Sequence, residues 1–363
     1  MHPAVRTAGA RGTRATVPGA LKPDVPKRKP RRLPPRAQLE VPVAPALATP
    51  RRKAPQRKVI AILSRKRSLY STRRLVEAIK HRGHRAVVLD TLRCNMILAA
   101  GAPRMSYRGV ELRGLDAVIP RIGASITAYG LSVVNQFDMM GVPLLNNSVP
   151  IARSRDKLRC LQLLSRFGVD IPRTVMARDR SNVRMLLEAV GGLPAIIKLI
   201  RGTQGVGVMI ASTVDEVQTI LDTFWNLEQE IVLQEFIQES RGRDVRALVV
   251  GGRVVGAMRR KAKRGEFRSN LHRGGEGHPF VLPPAYEATA IRAAQIIGLE
   301  ICGVDMLESK SGPKIMELNS SPGFEGLERT TKKDIAGTII DHAVAFSDAQ
   351  REGPGRHLLG LWR

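Results

Sequence analysis

Two carboxylates and an amide stand at a spacing that suits a hard divalent cation: Asp305 in Gly303-Val-Asp-Met-Leu307, then Glu317 and Asn319 in Lys314-Ile-Met-Glu-Leu-Asn-Ser-Ser-Pro-Gly323. Residues two apart in a strand share a face, so Glu317 and Asn319 point together while Met316 and Leu318 point away. The turn Ser311-Gly312-Pro313 predicts an antiparallel hairpin that brings Asp305 beside them. Such oxygens suit Mg²⁺, which is usually completed by water and nucleotide phosphates. A cation would also relieve the repulsion between the carboxylates. A surface hairpin with polar edges is the plain alternative. The apolar residues flanking each polar one, and the tight Asn-Ser-Ser-Pro-Gly turn, fit that alternative poorly.

A second set of residues points to phosphate. Gly202-Thr-Gln-Gly-Val-Gly207 lets backbone N–H groups approach a polyanion closely. It is neither a P-loop, since Val208-Met-Ile follows where Lys and Ser/Thr would stand, nor a dinucleotide fingerprint, since no third glycine opens a helix. Strand Pro194 to Ile200 enters it and strand Val206 to Ser212 leaves it, which predicts a hairpin lid able to close over a triphosphate. Lys198 lies within Ala-Ile-Ile-Lys-Leu-Ile, where a charge is costly unless it meets an anion. Snorkelling to solvent is the competing reading. Ile231-Val-Leu-Gln-Glu-Phe-Ile237 is a strand whose polar end could frame an adenine, or simply a core strand.

The elements that must position these groups alternate. From Lys58 a strand (Val59 to Leu63), a helix (Leu69 to His81), strands Ala86 to Leu89 and Asp116 to Pro120, and a helix (Thr127 to Met140) predict a small parallel α/β unit over 58–147. A helix from Arg153 to Phe167 follows. Then come paired strands Val245 to Val250, Val254 to Arg260, Ile301 to Glu308 and Lys314 to Leu318, which predict an α+β domain with antiparallel pairs over 148–345. Residues 346–363 form a tail. Residues 1–57 hold 11 of the 23 prolines, no aromatic, and 14 Lys/Arg against Asp24 and Glu40. This predicts a disordered basic tail, with contact to ribosome or nucleic acid as the functional alternative. Of the formal charge of +27, the tail carries +12. No apolar run approaches the roughly 20 residues of a membrane span. Cys94, Cys160 and Cys302 lie far apart, against a zinc cluster or a disulfide framework, and suggest a reducing cytoplasm. A dedicated nucleic-acid binder is disfavoured by 4% aromatics, too few for stacking platforms.

Lid, strand lysine, adenine-framing strand and Asp…Glu-x-Asn site occur in this order in the ATP-grasp superfamily. The stretches Ile-Leu-Ser-Arg, Pro-Arg-Ile-Gly-Ala-Ser-Ile-Thr, Ala-Arg-Ser-Arg-Asp-Lys-Leu, Lys-Leu-Ile-Arg-Gly-Thr-Gln-Gly-Val-Gly-Val and Phe-Arg-Ser-Asn-Leu-His-Arg-Gly-Gly resemble the RimK family of glutamate ligases over roughly residues 58 to 345. The resemblance implies a pre-ATP-grasp domain followed by two subdomains clasping ATP, and ATP-dependent addition of L-glutamate to the C-terminus of a small-subunit ribosomal protein, or synthesis of poly-α-glutamate. It implies Mg²⁺ or Mn²⁺ as the metal; a homo-oligomer in the cytoplasm, without a membrane partner, is the accompanying expectation. Position by position, it assigns Lys157, Lys198, Gly202, Gln204, Gly205, Gly207, Glu235, Phe236, Asp244, Arg268, Ser269 and Asn270 to the nucleotide, and Asp305, Glu317 and Asn319 to the metal. Arg246, Arg260 and Asn270 fall to the reacting carboxylate. Strand alternation puts Arg260 on one face and its basic neighbours Arg259 and Lys261 on the other. His272 is open between proton transfer and a structural hydrogen bond. A related ligase acting on a small molecule or another carrier protein is the competing function.

Overall fold

A computed structural model describes residues 56–352 except 177, 179–181, 201–206 and 264–273. The expected disorder of the N-terminal tail therefore concerns residues that are almost all outside the described ones. The chain opens with strand β1 (Val59–Leu63), helix α1 (Tyr70–His81) and strand β2 (Arg85–Leu89). Strands β3 (Cys94–Ile97), β4 (Arg104–Tyr107) and β5 (Val110–Glu111) come next, then β6 (Ala117–Pro120) and α2 (Thr127–Met139). Strands β2, β1 and β6 form a parallel sheet in that order. Ile60, Ala61, Ile62 and Leu63 are all buried, as expected of a strand covered on both faces. Strands β3, β4 and β5 form a small antiparallel sheet absent from the sequence reading.

The helix expected from Arg153 to Phe167 is two helices, α3 (Ser148–Arg155) and α4 (Lys157–Arg166). Asp156 separates them in extended conformation, and its carboxylate accepts from the Arg159 N–H to cap α4. Strand β7 (Thr174–Met176), helix α5 (Val183–Val190), strands β8 (Ala195–Leu199) and β9 (Val208–Ala211), helix α6 (Val214–Asn226) and strand β10 (Ile231–Glu235) follow. They make a four-stranded antiparallel sheet in the order β7-β10-β8-β9. Ala195, Ile197, Ile231 and Leu233 pack with α5 and α6 residues in one core. Alternation leaves Ile196, Lys198, Val232 and Gln234 on the opposite face.

Strands β11 (Arg243–Val250), β12 (Arg253–Lys261) and β13 (Glu276–Pro279), helix α7 (Pro284–Ile297), strands β14 (Ile301–Ser309) and β15 (Gly312–Asn319), and helices α8 (Glu325–Thr331) and α9 (Ile335–Glu352) complete the chain. The five strands form an antiparallel sheet ordered β13-β12-β11-β14-β15. The β14–β15 turn is Lys310-Ser311, one residue earlier than expected, since Ser309 pairs with Gly312. One face of this sheet (Val245, Ala247, Val249, Val304, Met306, Leu318) packs on Ala290, Ala293, Ala294 and Ile297 of α7. On the other face, Leu248, Val250, Met258 and Ile301 join β1, α1, β6 and α9 in a second core. The parallel unit and the five-stranded sheet thus share an interior. The chain does not leave the fold at residue 346 either: α9 runs on to Glu352, with Ser347 fully buried and donating from Oγ to the Asp116 carbonyl at 2.8 Å. Among the described residues no helix is long and apolar enough to cross a membrane.

Candidate active site

The face of the five-stranded sheet that packs on the parallel unit turns charged at its far end, and strand register explains how. Arg246 of β11 stands opposite Asp305 of β14, which stands opposite Glu317 of β15, while Asp244 of β11 stands opposite Arg260 of β12. Asp305 is completely buried. Arg246 grips it with two hydrogen bonds, Nε to Oδ1 at 2.6 Å and Nη2 to Oδ2 at 2.5 Å. Arg260 is 2% exposed and makes a second fork to Asp244, at 2.6 and 2.7 Å, while its Nη2 also lies 3.1 Å from Oδ2 of Asp305. Paired charge-assisted bonds of this kind are what make burial of four charges tolerable. Burial alone would raise the Asp305 carboxyl, but Arg246 and Arg260 overcome it and hold the group well below the usual range.

Glu317 behaves in the opposite way. Burial first, and the neighbouring Asp305 charge second, push its carboxyl up, with Arg246 and the Asn319 amide offsetting part of the rise. The Asn319 amide donates to Glu317 Oε1 at 3.2 Å. Among the described residues no group of three or more His, Cys, Asp or Glu gathers to hold a metal. What the strand register does bring together is two carboxylates and an amide, those of Asp305, Glu317 and Asn319. These oxygens are of the kind a hard divalent cation takes: Arg246 and Arg260 occupy three of the roughly four acceptor directions of Asp305 and leave one, and a cation would relieve the repulsion and burial that raise Glu317.

Across from this row, Lys198 donates to the Gln234 side-chain carbonyl at 2.5 Å, and Gln234 is held in turn by donating to Thr174 Oγ1 at 2.7 Å. Burial lowers Lys198 to about 8, with Glu317 opposing that shift and Lys157 adding to it. Lys157, first residue of α4, is lowered by burial as well and raised by Glu317. Both lysines therefore feel the same carboxylate, so the four-stranded and five-stranded sheets converge on Glu317. Sequence reasoning did not name Gln234. Its signal was one polar residue of the Lys198 face parity inside Ile231-Val-Leu-Gln.

Other expected residues sit differently. Glu235 closes β10 and accepts from the Arg173 backbone N–H at 3.0 Å and Nη2 at 3.1 Å, with Lys314 at 3.8 Å, so its carboxylate serves an ion-pair cluster. Phe236 is partly buried just past the strand end. Arg259 pairs with Glu308 on the face away from Arg260 and stacks on Phe280, as alternation requires. The Arg260 fork is spent on Asp244, so it positions Asp305, and Arg246 is the arginine nearer solvent. Gly207, just before β9, adopts φ +76°, and a Cβ there would lie 2.7 Å from Leu199 Cδ1, so that position requires glycine. Gly202, Gln204, Gly205, Arg268, Ser269, Asn270 and His272 lie outside the described residues.

The family model described as the RimK PreATP-grasp domain matches residues 59–151, and that of the RimK-like ATP-grasp domain matches residues 154–343. The chain belongs to the RimK family of ATP-grasp α-L-glutamate ligases. Its carboxylate row and half-buried lysines thus lie in the ATP-grasp domain of a carboxylate–amine ligase. RimK-family relatives include a probable α-L-glutamate ligase of Hydrogenovibrio crunogenus, 56% identical over 281 residues covering 77% of this chain and 93% of that one. Another, of Azotobacter vinelandii, is 55% identical over 283 residues, covering 78% and 94%. Among solved structures, the ATP-grasp ligase PsnB with minimal precursor, Mg and ADP superposes with TM-score 0.64 at 21% identity, covering 80% of this chain and 98% of that one. A RimK domain ATP-grasp protein of Sphaerobacter thermophilus gives 0.58 at 22% identity, covering 79% and 99%. At these identities the likeness is one of RimK-type fold.

Proposed function

We propose that this enzyme uses ATP and Mg²⁺, or Mn²⁺, to join L-glutamate to the C-terminal carboxylate of a protein, with a small-subunit ribosomal protein as acceptor, or to extend an α-linked glutamate chain. The observation that carries this reading is the Arg246–Asp305–Glu317 row facing Lys198. It combines a place for a divalent cation with a half-buried ammonium that donates to the neutral Gln234 amide. The names of the relatives supply glutamate.

A carboxylate at neutral pH is a poor electrophile. The acceptor carboxylate oxygen attacks the γ-phosphorus of ATP, the bond to ADP breaks, and an acylphosphate forms. The glutamate amine then attacks the acyl carbon, the carbon–oxygen bond to phosphate breaks, and the nitrogen gives up its proton. Lys198 meets phosphate oxygens with its ammonium, and Arg246 offers N–H groups to the carboxylate. Asp305, Glu317 and Asn319 would hold Mg²⁺, which supplies neutralisation of the β- and γ-phosphoryl charge when bound. Arg260 keeps Asp305 ionised and oriented. The hairpin based on Gly207 would keep water from the acylphosphate.

The test is an amino-acid screen with ATP, Mg²⁺ and a peptide acceptor, read as ADP release and as peptide mass. L-glutamate should lead, aspartate should be weaker, lysine inactive, and EDTA should abolish turnover. A neutral or basic amino acid ahead of glutamate would move the protein to a different ligase class.

A further inference from the structure

Three arginines have no place in the chemistry above. Arg121 follows β6 at the C-terminal edge of the parallel sheet, anchored by its N–H to the Leu63 carbonyl at 2.9 Å. Arg153 and Arg155 occupy the last turn of α3. Among the described residues none of the three forms an ion pair with a carboxylate. Arg121 lies beside Asn146, Ile301 and Ser320, and its guanidinium is 5.8 Å from the centre of the Phe324 ring. Arg155 donates through Nη2 to the Ile122 carbonyl, but its Nε is buried without an acceptor. The same is true of Arg153 Nε, and the hydroxyls Ser320 Oγ and Ser321 Oγ are buried and unsatisfied.

Buried donors without acceptors are costly, and like-charged guanidiniums brought together are costlier still. Burial and the nearby Arg155 push Arg121 down to about 10, the opposite of what a paired arginine shows. The dipole at the end of α3 accounts for basic residues there, but not for orphaned N–H groups turned inward, nor for Arg121 arriving from a different element. The two serines directly follow Asn319, so their unsatisfied hydroxyls border the residues proposed to hold the metal.

We propose that Arg121 and Arg155, with the Ser320 and Ser321 hydroxyls, form a carboxylate-binding subsite that holds a substrate carboxylate beside the metal site. It deepens the glutamate-ligase reading and rests on it for the identity of that substrate. Guanidinium forks match carboxylates bidentately, and hydroxyls complete the remaining lone pairs. The carboxylate could belong to the free amino acid or to the acceptor C-terminus, and the two sources are separable by kinetics.

Arg121→Gln, Arg155→Gln and Arg121→Lys are compared with the full wild-type chain, with L-glutamate as amine substrate and triglutamate as acceptor. Loss of a charge-assisted pair should raise one KM by about 10- to 100-fold, leaving the KM for ATP within about twofold and Arg121→Lys in between. A rise in the L-glutamate KM assigns the subsite to the amino acid, and a rise in the triglutamate KM to the acceptor. Folded glutamine variants with both values unchanged would overturn the proposal. Since either variant could unfold, the wild-type chain is also labelled with phenylglyoxal. L-glutamate or triglutamate should protect Arg121 and Arg155, while equal labelling with and without them would overturn the subsite. Protection by these carboxylates in a chain that prefers another amino acid in turnover would leave the subsite standing and overturn the glutamate reading instead.

Discussion

Asp305 and Glu317 are the same chemistry in two environments, and the contrast dictates how substitutions should behave. Glu317 carries a raised carboxyl beside an ionised Asp305, so Glu317→Gln resembles its protonated form. It should leave the metal-free melting temperature unchanged or slightly higher while cutting turnover by on the order of 100-fold or more, because a catalytic metal supplies several kcal/mol. Arg260→Ala should do the reverse of sparing the fold. It strands Asp244 and one oxygen of Asp305 in the interior, and breaking a buried pair from one side costs about 3–5 kcal/mol. Thermal melting of the two variants separates a ligand from a positioning residue. Lys198 gives a pH signature. Its group sits at about 8 rather than near the ordinary ~10.4, so it is charged below that value and neutral above it. The KM for ATP should therefore rise as pH increases through about 8, with bound phosphate moving the inflection upward. Lys198→Arg should flatten the profile, and a flat wild-type profile would remove Lys198 from the phosphate site.

Strand elements place these side chains, and one residue ties the elements together. Asn146, in the left-handed region at φ +82°, donates from Nδ2 to the carbonyls of Ile301 and Ser320 at 2.8 and 3.0 Å. Its Oδ1 accepts from the N–H groups of Glu300 and Ile301 at 2.8 and 3.1 Å. It thus joins the end of the parallel unit to β14 and to the turn after Asn319. Asn146→Ala leaves several buried backbone groups unsatisfied and should cost about 3 kcal/mol or more. Asn146→Gly should cost roughly 1 kcal/mol less, because the αL penalty disappears; denaturant midpoints of the two distinguish strain from lost hydrogen bonds. The elements legible in the sequence are those with long apolar runs or unbroken alternation, which is why β1, β8, β11 and β14 appear within a residue or two of expectation. Strands β3 to β5 were invisible because they are four, four and two residues long, and their Arg108-Gly109 turn is a weaker hairpin signal than Asn-Gly. The juxtaposition of Asp305 with Glu317 was legible from period-two spacing together with the short turn between the two runs. The orphaned arginines were not, since their lack of partners is a property of three-dimensional packing.

At the scale of the molecule, the boundary near residue 147 is a change of texture and not of interior. Ile60, Leu75 and Ile119 share a core with Leu248, Met258 and Ile301, and α9 closes it from the C-terminal side. Truncation before Phe346 should therefore lower stability strongly, since it removes buried Ser347 and the Lys58–Asp348 pair at 2.5 Å. Removing residues 1–55 is the opposite case. Every described strand, helix and site residue lies after them, while they carry 13 Lys/Arg against Asp24 and Glu40, a net +11 out of +27. Charge of that density acts on polyanions through counterion release, with a steep salt dependence, and it contributes no apolar burial. The shortened chain should stay soluble, keep its melting temperature and its ADP release with glutamate and a minimal acceptor, and elute from heparin at lower salt. If the acceptor is presented on a ribosome, its KM for that assembly should also lose part of its salt dependence, whereas the KM for a short peptide should not move. Insoluble protein, or a changed peptide KM, would place these residues within the working fold.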